Sequence, residues 1–153
     1  MRRHFAPVVL VALVLVLAGT AQATPPAPVT MSVTTTIVPP GEPFPTDAFV
    51  STGGIVCASG TIRATFDLGI GWQSGDHFQI LVGKHVTCSD GTFELLLRVT
   101  LDFSTGNTWG TWSVQSGTGA YQKLHGAGQV VGTRPFPGSS TIQDEYTGSM
   151  HID

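Results

Sequence analysis

The feature of this chain that most limits its fold is a period-two alternation of apolar and polar residues. The alternation is clearest over residues 92–103, where one parity is apolar and the other is mainly polar. The apolar parity comprises Phe93, Leu95, Leu97, Val99, Leu101 and Phe103. Successive side chains of a β-strand point to opposite faces, so the pattern predicts a strand with one buried face.

The same alternation recurs along the rest of the chain. It predicts further strands at residues 61–68, 77–87 and 141–152, and weaker ones at 29–38, 111–114 and 128–133. The segments between them are rich in Gly, Ser, Asp, Asn and Pro, which favour turns. No ten-residue window after the first 23 residues combines helical periodicity with capping residues, so the chain is predicted to be all-β.

Seven or eight short antiparallel strands must bury their apolar faces against one another. A sandwich and a closed barrel both achieve this, and closure also removes exposed strand edges. We therefore predict a closed antiparallel β-barrel of about eight strands, whose interior is either filled or holds one small ligand. The Pro-rich stretch 38–45 is interpreted as a crossing loop between two strands.

The N-terminus has the pattern of a secretory signal peptide. Arg2 and Arg3 precede an apolar run of about fourteen residues, and Ala21-Gln22-Ala23 is a small-x-small cleavage site. A membrane anchor would need about twenty apolar residues. We predict a leader at 1–23, a Pro-rich tether at 24–29, and one barrel domain at 30–153. The mature protein is then secreted and not associated with a membrane.

The charge of the mature chain argues against a nucleic-acid partner. Without Arg2 and Arg3, 5 Lys and Arg face 10 Asp and Glu, which gives a net charge of about −5. Binding to phosphates requires clustered Lys and Arg, whereas these five are scattered along the chain.

The two cysteines, Cys57 and Cys88, are predicted to form a disulfide, because export places them where disulfides persist. The alternatives are a pair of metal ligands or one reactive thiol. A structural zinc site needs four ligands, and Cys57 has no Cys or His near it in sequence. The sequence therefore predicts neither a metal nor a cofactor.

A glycine motif over residues 111–128 resembles the signature of the allene oxide cyclase and dirigent barrel superfamily. A strand runs into Gly-Thr-Gly, an aromatic residue follows two positions later, and Gly-x-Gly begins the next strand. These residues are Gly117, Thr118, Gly119, Tyr121, Gly126 and Gly128. The segments 88–93 and 144–148 look like those of small secreted bacterial members of this superfamily.

The resemblance implies an eight-stranded barrel that is often a trimer. Plant members cyclise an unsaturated fatty-acid epoxide or direct the coupling of phenoxy radicals. Their polar pocket residues do not align with positions of this chain outside the glycine motif. The resemblance therefore implies the fold and not the reaction.

Two charged residues fall on apolar parities. Lys84 lies between Val82 and Val86, and Asp144 lies between Ile142 and Tyr146. Each residue has two alternative positions. It lies in water, near a strand end or beside a bulge, or it lies inside the barrel, where a carboxyl group can act as an acid or base. Asp144, Lys84 and Tyr146 are therefore the candidate catalytic residues. The candidate ligand-binding residues are Phe66, Phe78, Phe93, Leu95, Leu97 and Tyr121.

Large apolar residues also occur on polar parities. Leu81 and Leu96 do so, and with Trp72 and Trp109 they indicate a possible contact between subunits. A homo-oligomer is the corresponding expectation, and the resemblance implies a trimer.

Two functions remain open from the sequence. The first is a binding or structural module without catalysis, which holds a small apolar molecule or none. The second is an isomerase or cyclase that acts on an apolar molecule inside the barrel. A cavity above about 300 Å³ that Asp144 faces would favour the second. An inhibitor or adhesion module that acts through loop 39–46 is a third interpretation.

Overall fold

The computed structural model describes residues 25–153, and the predicted leader at 1–23 lies outside the described residues. The described chain contains eight strands and one 3-10 turn. They are β1 (Ala27–Thr36), β2 (Thr46–Thr52), β3 (Ser59–Ser74), β4 (His77–Thr87), β5 (Thr92–Asp102), β6 (Thr108–Gly117), the turn Gly119–Tyr121, β7 (Leu124–Thr133) and β8 (Thr141–Ile152). Because β1 begins at Ala27, the last residues of the predicted tether belong to the first strand.

The eight strands form one closed antiparallel barrel, which confirms the predicted fold class. Each strand pairs with its neighbour in sequence. The barrel closes through β1 and β8, which pair from Ala27 opposite Met150 to Thr36 opposite Thr141. Residues 37–45 connect β1 to β2, where the Pro-rich composition predicted a crossing loop.

The two ends of the barrel differ. At one end, here called the disulfide end, lie the connections 53–58, 88–91 and 118–123. Cys57 and Cys88 form the predicted disulfide there, with Cα atoms 5.9 Å apart. At the other end, here called the mouth, lie the connections 37–45, 75–76, 103–107 and 134–140.

The interior of the disulfide end is filled. Tyr121, in the 3-10 turn, packs edge-on against Phe93 with ring centroids 5.3 Å apart. Its hydroxyl donates a hydrogen bond to Asp90 Oδ1 at 2.8 Å and accepts one from the Cys57 amide at 3.1 Å. Burial, reinforced by the bond to Asp90, raises the pKa of Tyr121 to about 12. A neutral tyrosine therefore closes this end of the barrel.

The strand β2 was not predicted from the sequence. Only Phe49 of its seven residues is fully buried, and the half-buried residues on the same face, Asp47 and Ser51, are polar, so the sequence shows no apolar parity. Its position follows from pairing with β1 and β3 rather than from an apolar face.

The alternation predicted for residues 61–68 is wrong beyond Ala64. Ala64 pairs with Lys84, but Phe66 pairs with Gly83, so Thr65 is an extra residue in a β-bulge. The bulge reverses the two faces of the strand. Phe66 and Leu68 therefore lie on the outer surface, 42% and 60% exposed, whereas Asp67 lines the interior.

Candidate functional site

A cavity of about 230 Å³ occupies the mouth half of the barrel and opens to solvent. Its walls are largely apolar and include Phe44, Ala64, Ile80, Val82, Leu97 and Ile142. The volume is below the roughly 300 Å³ at which drug-sized pockets begin, so the cavity fits a smaller molecule. Asp144 is part of the wall, so the cavity meets one of the two conditions set for an isomerase or cyclase and fails the other, a volume above about 300 Å³.

Lys84 is the buried cation of this cavity. It extends from β4, is only 6% exposed and lines the cavity wall. Within residues 25–153, no carboxylate lies within 4.0 Å of its amine. Burial lowers the pKa of Lys84, and the negative charges of Asp144 and Asp47 only partly oppose this effect.

Asp144 is the carboxyl group of the same cavity. It lies on β8 and accepts a hydrogen bond from Thr35 Oγ1 at 2.6 Å. Burial raises the pKa of Asp144 above its usual range, while the Thr35 bond and the charge of Lys84 work against the rise. Lys84 and Asp144 are thus brought together inside the barrel, although Lys84 also lies opposite the β3 bulge.

Tyr146, the third candidate, is fully buried but does not line the cavity. Its hydroxyl has no hydrogen-bond partner among the described residues. Burial, followed by the negative charges of Asp144 and Asp47, raises the pKa of Tyr146 well above 10. Tyr146 therefore stays neutral and lies outside the cavity lining.

Three further polar groups were missed by the sequence analysis. Asp47 accepts hydrogen bonds from the amide and hydroxyl of Thr36 at 3.1 and 2.9 Å. Asp67 and Arg134 line the cavity, and Arg134 Nε is buried without a hydrogen-bond partner among the described residues. Asp47 lies on the unpredicted strand, Asp67 follows the bulge, and Arg134 lies in a loop, so no alternation marked them.

The six candidate ligand-binding residues do not come together. Leu97 lines the cavity, whereas Phe93 and Leu95 belong to the packed core. Tyr121 lies at the disulfide end, as described above. Phe78 packs against Trp72 and Phe103, with ring centroids 5.2 and 6.2 Å apart. Phe66 lies on the outer surface because of the bulge, so it does not face the interior as expected.

The outer surface carries an apolar patch formed by Phe66, Leu68, Leu81 and Leu96, here called the outer patch. Leu68 pairs with Leu81, and Phe66 pairs with Gly83, which pairs in turn with Leu96. The patch contains the two leucines that were predicted to contact another subunit. Trp72 is separate from it, because it packs with Phe78 and Phe103 at the mouth.

His125 and His151 meet on the outside of β7 and β8. Their rings stack 5.3 Å apart, and each has a nitrogen near an Asp153 carboxylate oxygen, at 3.1 and 3.5 Å. Even so, no group of three His, Cys, Asp or Glu residues within 25–153 is placed to hold a metal ion. In the same part of the chain, no helix is long and apolar enough to cross a membrane.

These features define a closed eight-stranded antiparallel barrel with one end filled and an amine and a carboxyl group buried at the other. The chain matches no protein-family model, no curated protein and no solved structure. Membership of the allene oxide cyclase and dirigent superfamily thus stays a prediction from the glycine motif.

Proposed function

We propose that this protein is a secreted barrel that binds a small, mainly apolar molecule carrying one polar group. The observation that carries the proposal is the mouth cavity, whose apolar walls surround Lys84 and Asp144. Ligand sites commonly combine such walls with a few polar groups that fix orientation.

The polar groups of the cavity support a ligand rather than a purely structural role. A buried polar atom without a partner costs about 1–3 kcal/mol. Arg134 Nε is such an atom within residues 25–153, and the Lys84 amine has no ion pair there. A ligand with an acceptor group would supply the missing interaction to either side chain.

Secretion is part of the proposal and is supported by two observations. The first 23 residues have the pattern of a signal peptide, as described above. The two cysteines form a disulfide, and disulfides persist mainly in oxidising compartments.

Filling the cavity is expected to abolish binding. In Ala64→Phe, the new ring would occupy space on the wall between β3 and β4, where Ala64 lines the cavity opposite Lys84. Native mass spectrometry of the protein from culture supernatant should show a reproducible ligand-sized mass excess for wild type and none for the variant.

The matched control is Ala48→Phe, which adds the same ring on the exposed surface of β2. This control should keep the mass excess. A wild-type protein that carries only its polypeptide mass, with the disulfide intact, and takes up no small apolar compound would contradict the proposal.

An isomerase or cyclase is the second candidate, and the presence of Asp144 and Lys84 in one cavity favours it. A carboxyl group whose pKa is raised by burial in an apolar cavity is suited to act as a general acid or base. Incubation of the retained molecule with wild type and with Asp144→Asn distinguishes the candidates. An isomer of unchanged mass, formed by wild type alone, indicates catalysis, whereas unchanged ligand in both indicates binding only.

We also propose that the outer patch joins copies of this chain, and the resemblance implies three. Leu68→Glu is expected to give a monomer, because a carboxylate in an apolar contact would lose its hydration. Size-exclusion chromatography with light scattering measures the change. Val131→Glu, on the exposed face of β7, is the control and should leave the oligomer intact. A wild-type monomer would contradict this proposal.

A further inference from the structure

The chain contains two lysines, and they occupy opposite environments. Lys84 is buried in the wall of the mouth cavity, whereas Lys123 is exposed in the connection 118–123 at the disulfide end. One lysine amine therefore lies in an apolar cavity and the other in water.

The surroundings of Lys84 favour its neutral amine. Its strand neighbours on the interior face are Val82 and Val86, and its cross-strand partners are Ala64 and Leu95. Within residues 25–153 no carboxylate approaches within 4.0 Å to hold the ammonium form. Burial accordingly lowers the pKa of Lys84. A desolvated lysine of this kind is a nucleophile towards carbonyl carbon.

We infer that Lys84 is a covalent attachment point, and that the mouth cavity captures small apolar aldehydes or ketones as an imine on Lys84 Nζ. The inference rests on the proposed ligand-binding function and specifies the chemical class of the ligand. The apolar walls would hold the hydrocarbon part of such a compound, while the carbonyl group points to the amine.

The reaction balances without an oxidant, a reductant or a further cofactor. The lone pair of Nζ forms a bond to the carbonyl carbon, and the oxygen takes up a proton as nitrogen loses one. The resulting carbinolamine then loses its hydroxyl with a second proton as water, which leaves a C=N bond. One carbonyl compound and one amine thus give one imine and one water, and hydrolysis reverses the step.

Asp144 is positioned to move these protons. It lines the same cavity, and its charge is close enough to Lys84 to affect the amine's pKa. Burial raises its pKa, which favours the protonated carboxyl group, and this form can donate a proton to the departing oxygen. Thr35, which donates a hydrogen bond to Asp144 Oδ2, fixes the position of the carboxyl group.

The test is reductive trapping with hexanal as the probe. The purified protein is incubated with hexanal and sodium cyanoborohydride near neutral pH, and peptide mapping locates the hexyl group. Of the two lysines, we expect Lys84 to take up the hexyl group faster than Lys123, because a lowered pKa raises the fraction of neutral amine. Lys84→Met should remove the addition at this position, Lys123→Met should not, and the map scores the N-terminal amine separately.

Hexanol separates the failure of this inference from the failure of the proposed function, because it fits the same cavity but forms no imine. If native mass spectrometry shows bound hexanol while hexanal labels Lys84 no faster than Lys123, the inference is overturned and ligand binding stands. If neither compound binds and labelling is unselective, both fail. Peptide mapping uses wild-type protein, so the result does not depend on the folding of a variant.

Discussion

Replacing both Cys57 and Cys88 by alanine is expected to lower the free energy of unfolding by about 3–4 kcal/mol. The bond joins residues 31 positions apart, and without it the unfolded chain regains the entropy that this loop removes. The disulfide also links the connection 53–58 to the connection 88–91. In the same region the Tyr121 hydroxyl accepts a hydrogen bond from the Cys57 amide. Urea unfolding followed by circular dichroism measures the loss.

Two controls accompany this variant. Reduction of the wild-type protein should lower its stability by a similar amount, and Ser89→Ala, an exposed change beside Cys88, should leave it nearly unchanged. A loss below about 1 kcal/mol in the double variant would contradict the prediction. The packing of Tyr121 against Phe93 would then hold the disulfide end without the covalent link.

Trp112→Ala is expected to cost about 3–5 kcal/mol, the range for removing a large aromatic side chain from a core. Trp112 is only 2% exposed, and its Nε1 donates a hydrogen bond to the Gln129 carbonyl at 3.0 Å. Its ring lies over Gly128 and Gly148, where an added Cβ would come within 2.7 and 2.6 Å of Trp112 Cζ2. Alanine would leave a void that these glycines cannot fill.

Trp109 provides the matched control for this prediction. Trp109 lies on the same strand but is 42% exposed, so Trp109→Ala should cost about 1 kcal/mol or less. Urea unfolding of both variants gives the comparison. Equal losses would show that Trp112 does not contribute more to the core than an exposed tryptophan does.

The sequence predicted those parts of the fold in which every second residue is buried. In β5 the apolar parity from Phe93 to Val99 is buried, as the alternation requires. The closed barrel was predicted from the number of strands, because each strand had one apolar face to bury. Gly128, which the sequence marked as part of the glycine motif, makes room for Trp112.

The parts that could not be predicted have no periodic signal. The strand β2 presents one buried aromatic residue, Phe49, and its pairing depends on strands distant in sequence. Asp47 therefore could not be assigned to the interior. Arg134 lies in a loop, and the alternation of apolar and polar residues predicts strand faces but not the conformation of a loop. Its place in the cavity wall could therefore not be predicted.

Lys84 and Asp144 were recognised as exceptions to the alternation, but the sequence left their environment open. Water at a strand end and a place inside the barrel give the same one-dimensional pattern. The structure shows that both residues line the cavity in the mouth half of the barrel. The presence of that space depends on the side chains of several strands together.

The bulge in β3 has a consequence for the capacity of the barrel. If Thr65 took a regular place in the ladder opposite Gly83 instead of forming the bulge, the strand would turn Phe66 and Leu68 inward and Asp67 outward, because a shift of one residue exchanges the two faces. Two large apolar side chains would then compete for the space that the cavity occupies. The difference between a hollow barrel and a solid one thus depends on the pairing register of one strand, with the amino-acid sequence unchanged.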